Sequence, residues 1–148
     1  DLKLNQQLPV AGETLTGHSV NTGVPHAVAF YDDVEPVDVR KLGAGLRYHE
    51  AFAPKGTNAN FVQVLAADRI RIRTYERGVE DETLACGTGM VACALIHHER
   101  SGAPSPIQVK VQGGDTLTVG FEETAPHQCT NVTLLGAADF AFKGSVEL

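Results

Sequence analysis

The sequence predicts an α+β fold: a mostly antiparallel, β-barrel-like sheet wrapped around one central buried α-helix. Three observations carry that expectation. Short runs with period-two alternation recur along the chain, clustered without the regular strand–helix alternation of a doubly wound sheet. Only two stretches have helical periodicity, against eight or nine strand-like runs. One of the two, following Cys86, is apolar all round from Met90 to Ile96, the pattern of a helix enclosed by other elements.

The elements follow in order. In DLKLNQQLPV, Leu2 and Leu4 alternate with Asp1 and Lys3, and Pro9 and Gly12 end the strand. Strand-like runs follow around Thr14–Val20 and His26–Tyr31, separated by the turn-forming NTGVP. DDVEPVDVRKLGAGLRYHE reads as a helix, with acids and Pro36 at its start and Val39, Leu42 and Leu46 at helical spacing. Gly43 and Gly45 weaken it by about 1 kcal/mol each relative to alanine. APKGTNAN is expected to be a loop. FVQVLAADRIRIRTYERG reads as two strands about an AAD turn, Ile70 and Ile72 facing one way and Arg69, Arg71 and Arg73 the other. Gly102 and Pro104 stop the Cys86 helix. Three or four further strands close the chain in IQVKVQ, DTLTVGFE, NVTLLGAA and DFAFKGSVEL, and the glycine pair of QGGD suits a tight hairpin.

Composition narrows the function. The chain has 148 residues, 43% of them hydrophobic, enough for one compact domain. A net charge of -6 and no cluster of lysine or arginine argue against nucleic acid as a partner. No apolar run is long enough for a membrane span. Three cysteines without a CxxC pair indicate neither a disulfide framework nor a metal site, so a cytoplasmic protein with reduced thiols is expected. There is no initiator methionine, and the first residues read like the middle of a sheet, as in a domain of a longer chain.

The chemistry gathers in YERGVEDETLACGTGMVACALIHHERSG. A helix beginning near Gly87 offers backbone N–H groups with no intrahelical partner and a partial positive charge. Glycines at 87 and 89 let an anion approach the backbone. Such a terminus suits a carboxylate or phosphate, and it biases the Cys86 thiol toward thiolate, a better base or nucleophile. Glu76 can accept from an ammonium group and Arg77 can clamp a carboxylate, which together suit a zwitterion; a solvated surface ion pair is the plainer alternative. Glu80, Asp81 and Glu82 read as solvated acids and a complement to the helix start. His26 is a candidate base, a modulator of acidity, or a hydrogen-bonded core residue. His97 and His98 are explained by the helix C-terminus. Cys93 reads as packing, and Cys129 as a loop residue.

These residues carry a resemblance. YERGVEDETLACGTG resembles the C-terminal signature of diaminopimelate epimerase, and NTGVPHAV and GTNANFVQV are similar to two more blocks of that family in the same order. The resemblance covers essentially the whole chain. It implies two similar domains, each a barrel of strands around a helix, with the active site between them and one catalytic cysteine from each. Cys86 matches the second-domain cysteine. The first-domain cysteine motif is absent, so residues 1–148 resemble the C-terminal half, partnered by an N-terminal domain and inactive alone.

The family's activity is cofactor-independent: LL- and meso-2,6-diaminopimelate interconvert by two-cysteine α-proton transfer in lysine and peptidoglycan biosynthesis. No cofactor or metal is therefore expected, and a homodimer is a further partner the resemblance admits. Residue by residue, Glu76 resembles the contact to the substrate amino group. Arg77 and Asn58 resemble the holders of the distal carboxylate, and Gly87 and Thr88 the amides around the α-carboxylate. His26 matches a histidine that tunes the cysteines together with Glu76. Some family members have asparagine directly before the proline where this chain has Val24, with Asn21 nearby. Three alternatives stand beside this reading: a proline racemase-like enzyme, a cysteine hydrolase or transferase using Cys86 with His26, and a non-catalytic fragment.

Overall fold

The strands of this protein sort their side chains between two helices. The computed structural model describes residues Asp1–Leu148. Its elements are β1 (Lys3–Val10), β2 (Glu13–Asn21), β3 (Pro25–Phe30), α1 (Val39–Arg47), a 3₁₀ turn (Glu50–Phe52), β4 (Asn58–Ala66), β5 (Arg69–Glu76), β6 (Asp81–Thr83), α2 (Gly87–Ser101), β7 (Ile107–Lys110), β8 (Thr116–Ala125) and β9 (Gln128–Leu135). They form one nine-stranded sheet in the order β1-β2-β3-β4-β5-β7-β8-β9, with β6 added beside β5. The β3–β4 and β5–β7 pairings are parallel and the rest antiparallel. The outermost strands, β1 and β9, do not pair, and α2 meets β2, β3, β4, β5, β7, β8 and β9, so the sheet curves around α2 as an open barrel.

Because successive strand residues point to opposite faces, each central strand serves two cores. Val28, Val62, Ile70 and Ile72 pack with Met90, Cys93 and Ile96 of α2. Ala29, Ala59, Phe61 and Tyr75 pack with Val39, Leu42 and Leu46 of α1. The expected facing of Ile70 and Ile72 holds. So does the stop at Gly102, which takes the left-handed conformation (φ 72°) and donates its N–H to the His98 carbonyl at 2.8 Å.

Helix α1 is shorter than its sequence pattern. It starts at Val39, because the Asp38 carboxylate accepts from the Lys41 N–H at 3.1 Å and acts as the N-cap. Gly43 and Gly45 do more than weaken the helix. A Cβ at 43 would lie 2.4 Å from Tyr75 Cβ, and one at 45 would lie 2.4 Å from Val10 Cγ1. The glycines let α1 sit directly on the sheet. Gly43→Ala is therefore expected to destabilise the fold by about 1–3 kcal/mol, overpacking outweighing the gain in helix propensity. A urea midpoint unchanged or raised by this substitution contradicts that packing.

Four sequence expectations change. The segment expected as the loop 53–60 already enters β4 at Asn58. Glu82 pairs with Arg73 across β5 and β6, while Glu80 and Asp81 reach Arg47 and Arg40 of α1; the Asp81 side chain stays solvent-exposed as expected, but all three acids pair with arginines of β5 and α1 rather than complementing α2. His97 and His98 are buried; the His97 Nε2–H donates to the Ala67 carbonyl and the His98 Nδ1–H to the Ala103 carbonyl. Residues 139–148 form no strand, and Phe140, Phe142, Val146 and Leu148 are exposed.

Candidate active site

One end of the sheet collects polar side chains on the face that α2 covers. The face shared by Val28 in β3, Val62 in β4 and Ile72 in β5 continues at two-residue spacing to His26, to Asn58 and Asn60, and to Thr74 and Glu76. The parallel register sets His26 beside Asn58, and Asn60 lies across from Thr74. The start of α2 closes over this end.

Cys86 is the N-cap of α2, in extended conformation (φ -140°, ψ 109°), and its side chain makes no capping hydrogen bond. The first helical bond runs from the Met90 N–H to the Cys86 carbonyl at 2.9 Å. The amides of Gly87 and Thr88 thus open the helix at exposed residues beside the thiol. Cys86 itself retains 9% exposure. Its Sγ is 3.7 Å from Thr88 Oγ1, and Thr88 Oγ1 is 2.8 Å from His26 Nε2. The Thr22 hydroxyl donates to the Thr88 carbonyl at 2.9 Å, tying the β2–β3 turn to the helix start.

His26 is fully buried. Burial first, and the Arg77 charge second, lower its pKa to about 4, so the ring is neutral at neutral pH. Burial and then Arg100 bring His18 to about 4 as well. In the unfolded chain both rings protonate near 6.5, so the unfolded state binds more protons between about pH 6.5 and 4. Their stabilising contribution is complete above 6.5 and is lost as pH falls toward 4, by up to about 1.4 kcal/mol per pH unit for each ring. Urea midpoints should drop from pH 7 to pH 5, and His18→Gln should flatten the slope. A pH-independent midpoint contradicts the burial of these rings.

Asn58 is buried, its Oδ1 accepting the Arg77 N–H at 2.8 Å and its Nδ2 donating to the Pro25 carbonyl at 3.1 Å. It thereby sets the turn that carries Arg77. The Arg77 guanidinium is half-buried and donates through Nη1 to the Lys55 carbonyl at 3.2 Å. Glu76 and Arg77 do not pair with each other; the half-buried Glu76 carboxylate has no protein partner. Asn21 uses its Oδ1 to accept the Gly23 N–H at 2.9 Å and close the turn before Val24. All seven residues singled out in the sequence therefore lie at this end of the sheet.

Sequence reading missed Asn60 and Thr74, both buried. The Asn60 Nδ2 donates to the Ala27 carbonyl and contacts His26 Nδ1, each at 3.0 Å, and its Oδ1 accepts from the Thr74 hydroxyl at 2.9 Å. The available signal was the Asn-x-Asn spacing of GTNANF, which puts both amides on one face of a strand. Gly89 is buried, not open to an anion: a Cβ there would lie 2.7 Å from Asn60 Oδ1 and 3.3 Å from both Cys86 Sγ and His26 Cε1.

The other thiols sit in different surroundings. Cys93 lies inside the core, where burial pushes its pKa well up. Cys129 is in β9 rather than a loop, and burial with Glu99 and Glu123 raises its pKa too. Beside the site, a groove of about 610 Å³ runs along the open face of α2 from Gly87 and Thr88 to Val91 and Leu95, with Val132 and Leu134 of β9 as its far wall.

The family model described as diaminopimelate epimerase matches residues 18–137. Diaminopimelate epimerase of Aquifex aeolicus is 48% identical over 138 residues, covering 93% of this chain and 48% of that protein. The enzyme of Chlorobaculum tepidum is 43% identical over 132 residues, covering 88% and 50%. The chain thus spans about half the length of these relatives. In fold it is similar to a probable proline racemase from Agrobacterium radiobacter K84 solved with bound carbonate, with TM-score 0.61 at 15% identity over 99% of this chain and 51% of that one. It is also similar to a Bacillus anthracis phenazine biosynthesis protein of the PhzF family, with TM-score 0.54 at 14% identity over 87% and 39%. Sequence blocks, fold and the family match converge: this chain belongs to the diaminopimelate epimerase family.

Proposed function

We propose that this chain is the C-terminal half of a cofactor-independent epimerase that interconverts LL- and meso-2,6-diaminopimelate, and that Cys86 is one of its two acid/base thiols. The observation that carries the reading is Cys86 at the uncapped start of α2, facing one end of a sheet that also presents Glu76, Arg77 and Asn58.

An amino-acid α-proton is very weakly acidic, so its removal needs a strong electrostatic response at the carboxylate. The Gly87 and Thr88 amides and the positive end of α2 supply it when the α-carboxylate docks there. The unpartnered Glu76 carboxylate receives the ammonium group. Arg77 and the remaining amide hydrogen of Asn58 take the distal carboxylate. Cys86 as thiolate removes the α-proton from one face, and as thiol it returns a proton in the opposite direction. Inversion requires a second group on the other face. Neither Cys93, sealed in the core, nor Cys129, on β9, is placed like Cys86, which supports a thiol supplied by an N-terminal half.

Two surfaces support such a partner. The groove along α2 leaves apolar side chains uncovered beside Cys86. Residues 139–148 alternate like a strand yet pair with nothing, with two phenylalanines exposed. A second copy of the chain is the other occupant to test. The proline racemase-like alternative is disfavoured by the Arg77–Asn58 unit, which suits a ligand with a second carboxylate.

The test is conversion of LL- to meso-diaminopimelate under reducing conditions, by this chain alone and with the N-terminal half co-expressed. Conversion only by the pair is expected. Equal conversion by this chain alone overturns the two-half reading, and no conversion by a folded, associated pair overturns the substrate assignment.

A further inference from the structure

The buried amide of Asn60 determines where the protons of this site lie. A backbone carbonyl only accepts, so the 3.0 Å contact to the Ala27 oxygen must come from the Asn60 NH₂ group. The amide orientation is thereby fixed: Oδ1 accepts from Thr74, and the second hydrogen of the NH₂ points at His26 Nδ1, also 3.0 Å away. Nδ1 of a neutral ring that accepts this hydrogen carries none of its own, so the ring proton is on Nε2. Nε2–H then donates to Thr88 Oγ1 at 2.8 Å, and Thr88 accepts. The Thr88 hydroxyl keeps one hydrogen to place, and Cys86 Sγ lies 3.7 Å away; facing a thiolate, which has no hydrogen of its own, Thr88 is the donor of that contact.

We propose that Asn60 is a positioning residue that fixes His26 as its Nε2–H tautomer, so that the ordered chain Asn60→His26→Thr88 ends with a hydroxyl hydrogen directed at Cys86 Sγ. A sulfur supplied with a donor is favoured as thiolate, the form that removes a proton. In this arrangement His26 has no lone pair toward Thr88 and cannot take the Cys86 proton through it. The ring passes on the polarity of the chain without titrating. That separates the site from a cysteine–histidine hydrolase, where the imidazole must accept from the thiol. Gly89 belongs to the same device, since only a residue without Cβ lets α2 approach Asn60 Oδ1, the His26 ring and the sulfur together.

The catalytic consequence rests on the epimerase reading, but the test does not use turnover. Long-range ¹H–¹⁵N NMR of the 148-residue chain at pH 7 should show His26 protonated at Nε2 and bare at Nδ1. The opposite tautomer overturns the inference. Asn60→Asp, which offers only acceptors, should place a proton on Nδ1; a folded Asn60→Asp protein whose Nδ1 stays bare also overturns it. Thr88→Val removes the last donor and should slow iodoacetamide alkylation of Cys86 at pH 7.5, read on its own peptide by mass spectrometry, by about tenfold. Thr88→Ser should restore the rate. An alkylation rate unaffected by Thr88→Val overturns the final link even where Asn60→Asp fails to fold. Absence of diaminopimelate turnover would leave these results intact, so the two readings fail separately.

Discussion

Cys86→Ala, in the chain paired with the proposed N-terminal half, should lower α-proton transfer by about 100- to 10,000-fold, the range a positioned acid or base contributes. The loss should fall on catalysis and not on folding. Cys86 sits at the edge of the core with 9% exposure, and its side chain makes no capping bond that alanine would forfeit. The melting temperature should therefore stay near that of the unmodified chain, and binding of diaminopimelate should survive, because the Gly87 and Thr88 amides, Glu76 and Arg77 remain. Conversion followed by NMR and a thermal melt on the same preparation separate the two effects. Activity within tenfold of the parent would remove Cys86 from the reacting groups.

Gly89→Ala should be nearly as damaging for a different reason. Its new methyl would sit 2.7 Å from Asn60 Oδ1 and 3.3 Å from both the sulfur and the His26 ring. Asn60 cannot yield, because its other end holds the Ala27 carbonyl, and β4 is paired on both sides. The start of α2 must lift instead, which separates Thr88 from His26 and moves Cys86 from its place. A loss of about 1–3 kcal/mol in stability is expected, the usual cost of overpacking, together with loss of the His26–Thr88 contact. A crystal structure of the variant, or the His26 ring resonances, reports that displacement directly. Full activity and an unmoved helix start would show that the close approach is dispensable.

Much of this was legible in the residues because the physics involved is local. Ile70 and Ile72 alternate with arginines, and strand geometry alone puts them on one face. Gly102 follows the last turn of a helix and takes the left-handed conformation there. The CGTG step after a strand and before an apolar run marks a helix start with a thiol on it. What was not legible depends on pairs distant in sequence. Glu82 looks solvated until Arg73 of β5 is set against it in a half-buried pair, and Glu80 until Arg47 of α1 reaches it. Gly43 and Gly45 look like weak points until Tyr75 and Val10 are set against them.

The candidate site divides along the same line. Cys86 stands out by its place at a helix start, whereas Glu76, Arg77 and His26, each open to a plainer structural reading, are singled out by the family resemblance. Asn60 and Thr74 are singled out by neither. A neutral amide and a hydroxyl acquire meaning only when the parallel pairing of β3 with β4 brings the His26 ring against Asn60. The run DFAFKGSVEL has the alternation of a strand, yet alternation specifies only a side-chain pattern. Pairing needs a neighbouring edge, and within residues 1–148 that run meets none.

The central claim is that Cys86 works on one face of the α-carbon while a second group works on the other. The most direct measurement follows LL-diaminopimelate with the paired halves in deuterated water, through the earliest conversion, and assays product and remaining substrate for α-deuterium. Two groups on opposite faces predict meso product labelled at the inverted carbon from the first turnovers beside unlabelled remaining substrate, and no labelled product with Cys86→Ala. Product that keeps the substrate's own proton would mean that a single base serves both faces, and would contradict the account.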